Sequence, residues 1–200
     1  MNKYLFILIL IFFISSGSAF SQSEDFIKYK TFGPDMELLS YGGSLGGFFH
    51  FYPRENSSFS IESDWAIVEN NDSFSYYYYN QPVTINNQNL SMVKVLAGYS
   101  WFPFMETMHP SLQLGTFGAV GPLISLNTDD DDTFLDRWQH VETDITAMIR
   151  LGIVVRVLNG EGSSYSFKLG YDYAKFDKII DSRQTYEGLF FQAGMEFLHR

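Results

Sequence analysis

Hydrophobic and polar residues alternate one by one along much of this chain. The clearest alternation covers residues 164–175, with bulky apolar residues on one parity and small or charged residues on the other. The apolar parity consists of Tyr165, Phe167, Leu169, Tyr171 and Tyr173. Successive side chains of a β-strand point to opposite faces, whereas a helix would mix the two sets on every side. The pattern therefore predicts an amphipathic β-strand.

The same alternation recurs in other segments, which are separated by turn residues. Seven strands are predicted, at residues 40–51, 57–68, 90–101, 111–126, 144–158, 164–175 and 186–199. Pro, Gly and Asn in the segments between them favour turns. Residues 24–33 carry a weaker pattern that ends at Pro34 and Asp35. The chain is predicted to be all-β.

The lengths of the connections add a topological argument. From the first clear strand onward they run short, long, short, long, short and medium, with the longer ones near residues 69–89, 127–142 and 177–185. The longer connections therefore all lie at one end of an antiparallel sheet, as in transmembrane barrels with long outer loops and short periplasmic turns. If the last strand ends on the periplasmic side, parity requires one more strand before residue 40. We therefore expect residues 24–33 to form the first of eight strands.

The N-terminal residues predict that the protein is exported from the cytoplasm. Lys3 precedes an apolar run over residues 4–14, and a small, polar segment follows it. This is the pattern of a cleaved secretory signal peptide, and the run is too short for a membrane-spanning helix. We expect a signal peptide at residues 1–21 and a single domain at residues 22–200.

Composition narrows the possible partners of the domain. The chain has no cysteine, so disulfides do not stabilise it. Its formal charge of −10 becomes −11 when the signal peptide, with its one lysine, is removed. A strongly negative charge argues against a nucleic-acid partner.

The orientation of the two faces decides between a membrane barrel and a soluble one. An eight-stranded barrel has little room inside, and the bulky residues of the apolar parity would overfill it. The other parity is rich in Gly, Ser and Ala. Aromatic residues near predicted strand ends, including Tyr41, Tyr99 and Trp101, are typical of membrane interfaces. We therefore expect the apolar face to contact lipid. A soluble periplasmic barrel that binds a small apolar ligand is the alternative.

Charged residues on the polar parity form a predicted network in the lumen. It combines four acids with four bases: Glu62, Asp64, Asp172, Glu196, Lys94, Arg150, Arg156 and Lys168. Buried charges need partners, and equal numbers of each sign supply them. We expect paired charges that fill the lumen and stabilise the barrel, with a conducting pore as the alternative.

These features together resemble the small outer-membrane β-barrel proteins of Gram-negative bacteria. The resemblance extends from the signal peptide to the amphipathic last strand, whose Phe191, Met195 and Phe197 keep the spacing of a barrel insertion signal. In this class the final residue is usually aromatic, whereas here Leu198, His199 and Arg200 follow Phe197. The resemblance implies an eight-stranded, antiparallel, up-and-down transmembrane barrel. It also implies outer-membrane lipid and the barrel-assembly machinery as partners.

Two predicted loops are candidates for contact with an extracellular partner. One carries Tyr76, Tyr77, Tyr78 and Tyr79, and the other carries Asp129, Asp130, Asp131 and Asp132. For the four tyrosines, stacking at the membrane interface is the favoured alternative. The aspartates lack the ligand spacing and the glycine of an EF-hand loop, so we predict no metal site and no cofactor.

No catalytic residue is predicted, and a structural or surface-interaction role is favoured. The resemblance leaves one enzymatic alternative open, because some small outer-membrane barrels modify lipid A as hydrolases or acyltransferases. His140 in an outer loop, with Ser125 and Glu142 in loose proximity, is the only candidate group for that chemistry.

Overall fold

A closed antiparallel barrel of eight strands forms the body of the molecule. The computed structural model describes residues 29–68, 74–78, 81–85, 89–104, 108–109, 111–128, 141–159, 163–180 and 183–199. Ten strands occur in these residues: β1 (Tyr29–Leu39), β2 (Gly42–Arg54), β3 (Ser57–Val68), β4 (Phe74–Tyr78), β5 (Gln81–Ile85), β6 (Asn89–Trp101), β7 (Leu112–Thr128), β8 (Glu142–Asn159), β9 (Ser163–Ile180) and β10 (Arg183–His199).

Sequential neighbours pair around the barrel, and β10 closes it against β1. The order is β1-β10-β9-β8-β7-β6-β3-β2, while β4 and β5 form a separate two-stranded sheet within the connection from β3 to β6. The prediction of an all-β, eight-stranded, antiparallel barrel is therefore confirmed. Within the described part of the chain, no helix is both long enough and apolar enough to span a membrane. The predicted signal peptide at residues 1–21 lies outside the described residues.

The first strand begins and ends later than the sequence predicts. It covers Tyr29–Leu39 and continues through Pro34 and Asp35, which we expected to end it. Pairing with β2 is unbroken there, but no pairing with β10 is formed at Gly33 or Pro34. A Cβ on Gly33 would lie 1.6 Å from the Met195 carbonyl oxygen. A proline without an N–H is tolerated because the ladder toward β10 is locally interrupted.

The connection expected near residues 177–185 is a tight hairpin instead. Strand β9 extends to Ile180 and β10 begins at Arg183. The Tyr186 hydroxyl donates a hydrogen bond to the Ile180 carbonyl oxygen at 2.7 Å, and the Tyr186 ring packs edge-on against Phe176. Burial of these side chains keeps residues 176–180 and 183–186 in strand geometry despite their polar neighbours. The two long connections, between β3 and β6 and between β7 and β8, lie at the end of the barrel opposite the chain termini.

The outward face carries an apolar band of the height that a bilayer requires. On β9 the band extends over nine residues, from Tyr165 to Tyr173. On β10 it also extends over nine residues, from Leu189 to Phe197. Tilted transmembrane strands need roughly 9–11 residues to cross the hydrocarbon core. Beyond Tyr173 the same face continues with the exposed Lys175. Strands β7 to β10 are 17 or 18 residues long, so they extend beyond the band.

Tyr41 departs from the expected interfacial position. It lies in the turn between β1 and β2, is only 4% exposed, and packs edge-on against the Tyr186 ring. The predicted strand at 40–51 begins two residues too early, because Ser40 and Tyr41 form the turn and β2 begins at Gly42, so the Tyr41 side chain turns toward the interior. Tyr99 and Trp101, by contrast, are exposed on the outward face as predicted.

Candidate functional site

The interior of the barrel is the candidate site, and it is filled by side chains in layers. All the charged residues predicted for the lumen point inward and are almost completely buried. They are Glu62, Asp64, Lys94, Arg150, Arg156, Lys168, Asp172 and Glu196. The prediction of paired, buried charges in the lumen is confirmed. The bulky apolar parity faces outward, which argues against the soluble barrel that would bind an apolar ligand inside.

Arg150 on β8 is the hub of the central layer. Its Nε and Nη2 donate to the two carboxylate oxygens of Asp172, each at 2.7 Å. Its Nη1 donates to Glu37 Oε1 at 2.5 Å, and Nη2 donates to Glu37 Oε2 at 3.3 Å. The guanidinium also stacks 3.9 Å above the centre of the Phe190 ring. One buried guanidinium therefore bridges acids from β9 and β1.

Two lysines connect further strands to this layer. Lys94 on β6 donates to Glu37, and its Nζ lies 3.6 Å from Asp64 Oδ2. Lys168 on β9 donates to Glu62 Oε1 at 2.5 Å. Because Glu37 contacts both Lys94 and Arg150, the charged groups form a network that spans the lumen from β1 to β8.

A second cluster lies at the end of the lumen that carries the chain termini. Arg156 binds Glu196 through two hydrogen bonds, with Nε to Oε1 at 3.0 Å and Nη2 to Oε2 at 2.6 Å. Its guanidinium lies 4.5 Å from the centre of the Tyr52 ring, which in turn stacks on Tyr29. His50 Nδ1 lies 3.6 Å from Glu196 Oε1. With its aromatic rings and its paired arginine, this cluster fills the end of the lumen that carries the chain termini.

Sequence reasoning missed two acids of the network, Asp35 and Glu37. Both lie on the inward face of β1 and are buried. The predicted equal charge balance is therefore wrong, because six buried carboxylates face four buried Lys and Arg side chains among the described residues. The misplacement of the first strand caused the error. The sequence did contain the pattern that places them, because Thr31, Asp35 and Glu37 have the same alternation parity on either side of Pro34.

The opposite end of the lumen is apolar. Side chains that are at most 2% exposed fill it, and several strands contribute to them. They include Leu90, Met92, Leu123, Met148, Ala174, Phe176 and Tyr186. A charged layer is thus enclosed between an aromatic cap and an apolar layer.

The predicted loop sites are described only in part. Residues 76–78 lie in β4, which pairs with β5, but their side chains, Tyr79 and the four aspartates at 129–132 lie outside the described residues. Ser125 Oγ donates to the Asp144 carbonyl oxygen at 3.3 Å. Glu142 is exposed. His140 is also outside the described residues, so the lipid-modifying alternative stays a hypothesis.

Comparisons with known proteins address the fold. No family model matches the sequence, and no curated protein matches it either. Among solved structures, Neisserial surface protein A aligns with a TM-score of 0.53 and 8% identity, over 84% of this chain and 95% of that one. A major outer membrane protein from Thermus thermophilus aligns with a TM-score of 0.50 and 11% identity, over 86% and 100%. This protein therefore has the fold of the small eight-stranded outer-membrane β-barrels, as its sequence predicts.

Proposed function

We propose that this protein is a sealed outer-membrane barrel that has a structural or surface-interaction role and no enzymatic activity. The observation that carries the proposal is the filled lumen. A conducting barrel needs a continuous polar path, and eight-stranded barrels have an interior that side chains can fill. Here the apolar layer that includes Met92, Leu123 and Met148 fills the described part of the lumen at the end opposite the termini.

The orientation of the barrel is the second part of the proposal. The signal peptide at residues 1–21 directs export, and the termini then lie on the periplasmic side. The long connections, the β4–β5 hairpin and the extended ends of β7 to β10 face the exterior. This arrangement presents Tyr76–Tyr79 and Asp129–Asp132 to an extracellular partner. Short turns on the periplasmic side and long outer loops are the usual arrangement in this class of barrel.

Conductance measurements test the sealed lumen. The mature protein, refolded and inserted into a planar lipid bilayer, is expected to give no discrete conductance steps, because no water-filled path crosses the apolar layer. A porin inserted under the same conditions provides the positive control. Regular steps from the wild-type protein would contradict the sealed lumen and favour the pore alternative.

Labelling of single cysteines tests the orientation, and the natural absence of cysteine makes the background low. Asp130→Cys is expected to react with a membrane-impermeant maleimide on intact cells. Glu55→Cys, in the tight turn between β2 and β3, is expected to react only after the outer membrane is permeabilised. Labelling of Glu55→Cys but not Asp130→Cys on intact cells would show that the barrel is inserted the other way round.

A further inference from the structure

Two aspartates of the lumen, Asp35 on β1 and Asp64 on β3, meet across a glycine of the strand between them. The register places Asp35 opposite Gly46 and Gly46 opposite Asp64, so the three residues share one row of the sheet. A Cβ on Gly46 would lie 2.0 Å from Asp64 Oδ1. Because glycine leaves that space open, the Asp64 carboxyl group crosses β2 and lies within hydrogen-bond reach of the Asp35 carboxyl group.

The side-chain donors around the Asp35–Asp64 pair do not serve the contact between its two carboxyl groups. Gln192 Nε2 donates to Asp35 Oδ2 at 2.6 Å. Within the part of the chain that the structure describes, no donor reaches Asp35 Oδ1 or either carboxyl oxygen of Asp64. Lys94 donates to Glu37 instead, and its Nζ lies 3.6 Å from Asp64 Oδ2, beyond hydrogen-bond distance. Buried acceptors that face each other without a donor are costly.

The charges that face the pair do not replace the missing donor. Glu37 on β1 and Glu62 on β3 lie nearby and add negative charge. The cations behind them are engaged, since Arg150 of β8 donates to Glu37 and Lys168 of β9 donates to Glu62. His50 of β2 lies against Glu196 at the other end of the lumen. Two ionised carboxylates in contact are therefore especially unfavourable at this place.

We propose that Asp35 and Asp64 hold one proton between them, so that the lumen contains a carboxylic acid–carboxylate pair at neutral pH. The shared proton supplies the missing donor and forms an O–H···O⁻ hydrogen bond, which is shorter and stronger than a bond between neutral groups. Six buried carboxylates face four buried Lys and Arg side chains among the described residues, and the proton removes one of the two excess negative charges. Because an aspartate of the unfolded chain is ionised at neutral pH, this proton is taken up when the barrel folds.

Uptake of a proton couples the stability of the barrel to pH. Between about pH 5 and about pH 7 the pair binds one more proton in the folded state than in the unfolded chain, so its contribution to the folding equilibrium constant falls about tenfold for each unit of rising pH. In the Asp35→Asn variant an amide N–H takes the place of the proton as the donor to Asp64. That variant is expected to lack this part of the pH dependence.

Infrared spectroscopy of the refolded protein tests the pair directly. Wild-type protein labelled with ¹³C at the aspartate carboxyl carbon is expected to show, at neutral pH, an isotope-shifted C=O stretching band of a protonated carboxylic acid. Asp35→Asn is expected to remove this band. The matched control, Asp177→Asn, replaces an exposed aspartate of β9 and is expected to keep both the band and the wild-type pH dependence of unfolding by urea.

Two results would overturn the proposal. Wild-type protein that folds but shows no carboxylic acid band would mean that both aspartates are ionised, and this holds even if the Asp35→Asn variant fails to fold. A band and a pH dependence that a folded Asp35→Asn variant leaves unchanged would place the proton on another group. Heat-modifiable migration on a gel establishes folding in each case.

Discussion

Replacement of Arg150 by methionine is expected to destabilise the barrel by about 3–5 kcal/mol, the usual cost of removing one partner from a buried ion pair. The reason is specific to this network. Both hydrogen bonds from Arg150 to Asp172 disappear, and no other side-chain donor to that carboxylate is described. Methionine keeps most of the apolar contact with Phe190, so the loss reports mainly on charge. Urea unfolding of the refolded protein in lipid vesicles measures the difference in unfolding free energy.

A double variant separates lost pairing from lost packing. R150M/D172N removes both members of the pair and is expected to recover a large part of the stability that R150M loses, because no bare carboxylate remains on β9. Lys175→Met provides the surface control, since Lys175 is exposed beyond the apolar band. If R150M lowers the free energy of unfolding no more than K175M does, the structural role of the lumen network is contradicted.

Substitution of Leu169 by arginine is expected to cost about 2–4 kcal/mol, as found for arginine at the bilayer midplane on the lipid face of a barrel. Leu169 is at the centre of the nine-residue apolar run of β9 and is 49% exposed without lipid. In water such a side chain would tolerate a charge with little effect. The destabilisation therefore arises only if lipid surrounds this face, and vesicle-based urea unfolding measures it.

Ile179 provides the matched control for depth. It lies on the same strand and the same parity as Leu169 but beyond the band, and it is 73% exposed. Ile179→Arg is expected to cost about 0–1 kcal/mol, the value for positions near the interface. Equal effects at the two positions would mean that the outward face does not experience a depth-dependent environment.

The barrel itself could be predicted from the sequence because every barrel strand has one apolar face and one face of small, polar or charged side chains. Alternation with period two identified seven strands, and the direction of the last one required an eighth. The charges on β3, β6, β8, β9 and β10 were placed correctly in the lumen for the same reason. Side-chain parity is a local property, so a single sequence contains it.

The features that were missed depend on contacts between distant strands. Pro34 breaks an isolated strand, but here the β10 ladder is interrupted beside it, and only the paired structure reveals that. Residues 177–185 look like a loop because they are polar, yet Tyr186 and Phe176 pack together inside the barrel. The excess of two carboxylates followed from the first of these errors.

Contact between the outward face and lipid is the central claim, and quenching of Trp65 tests it most directly. Trp65 points outward within the band and is 45% exposed without lipid. In the W101F/W138F variant it is the only tryptophan. We expect phospholipids brominated in their acyl chains to quench its fluorescence strongly, and aqueous acrylamide to quench it little. Strong quenching by acrylamide with no effect of the brominated lipid would contradict a membrane-embedded barrel.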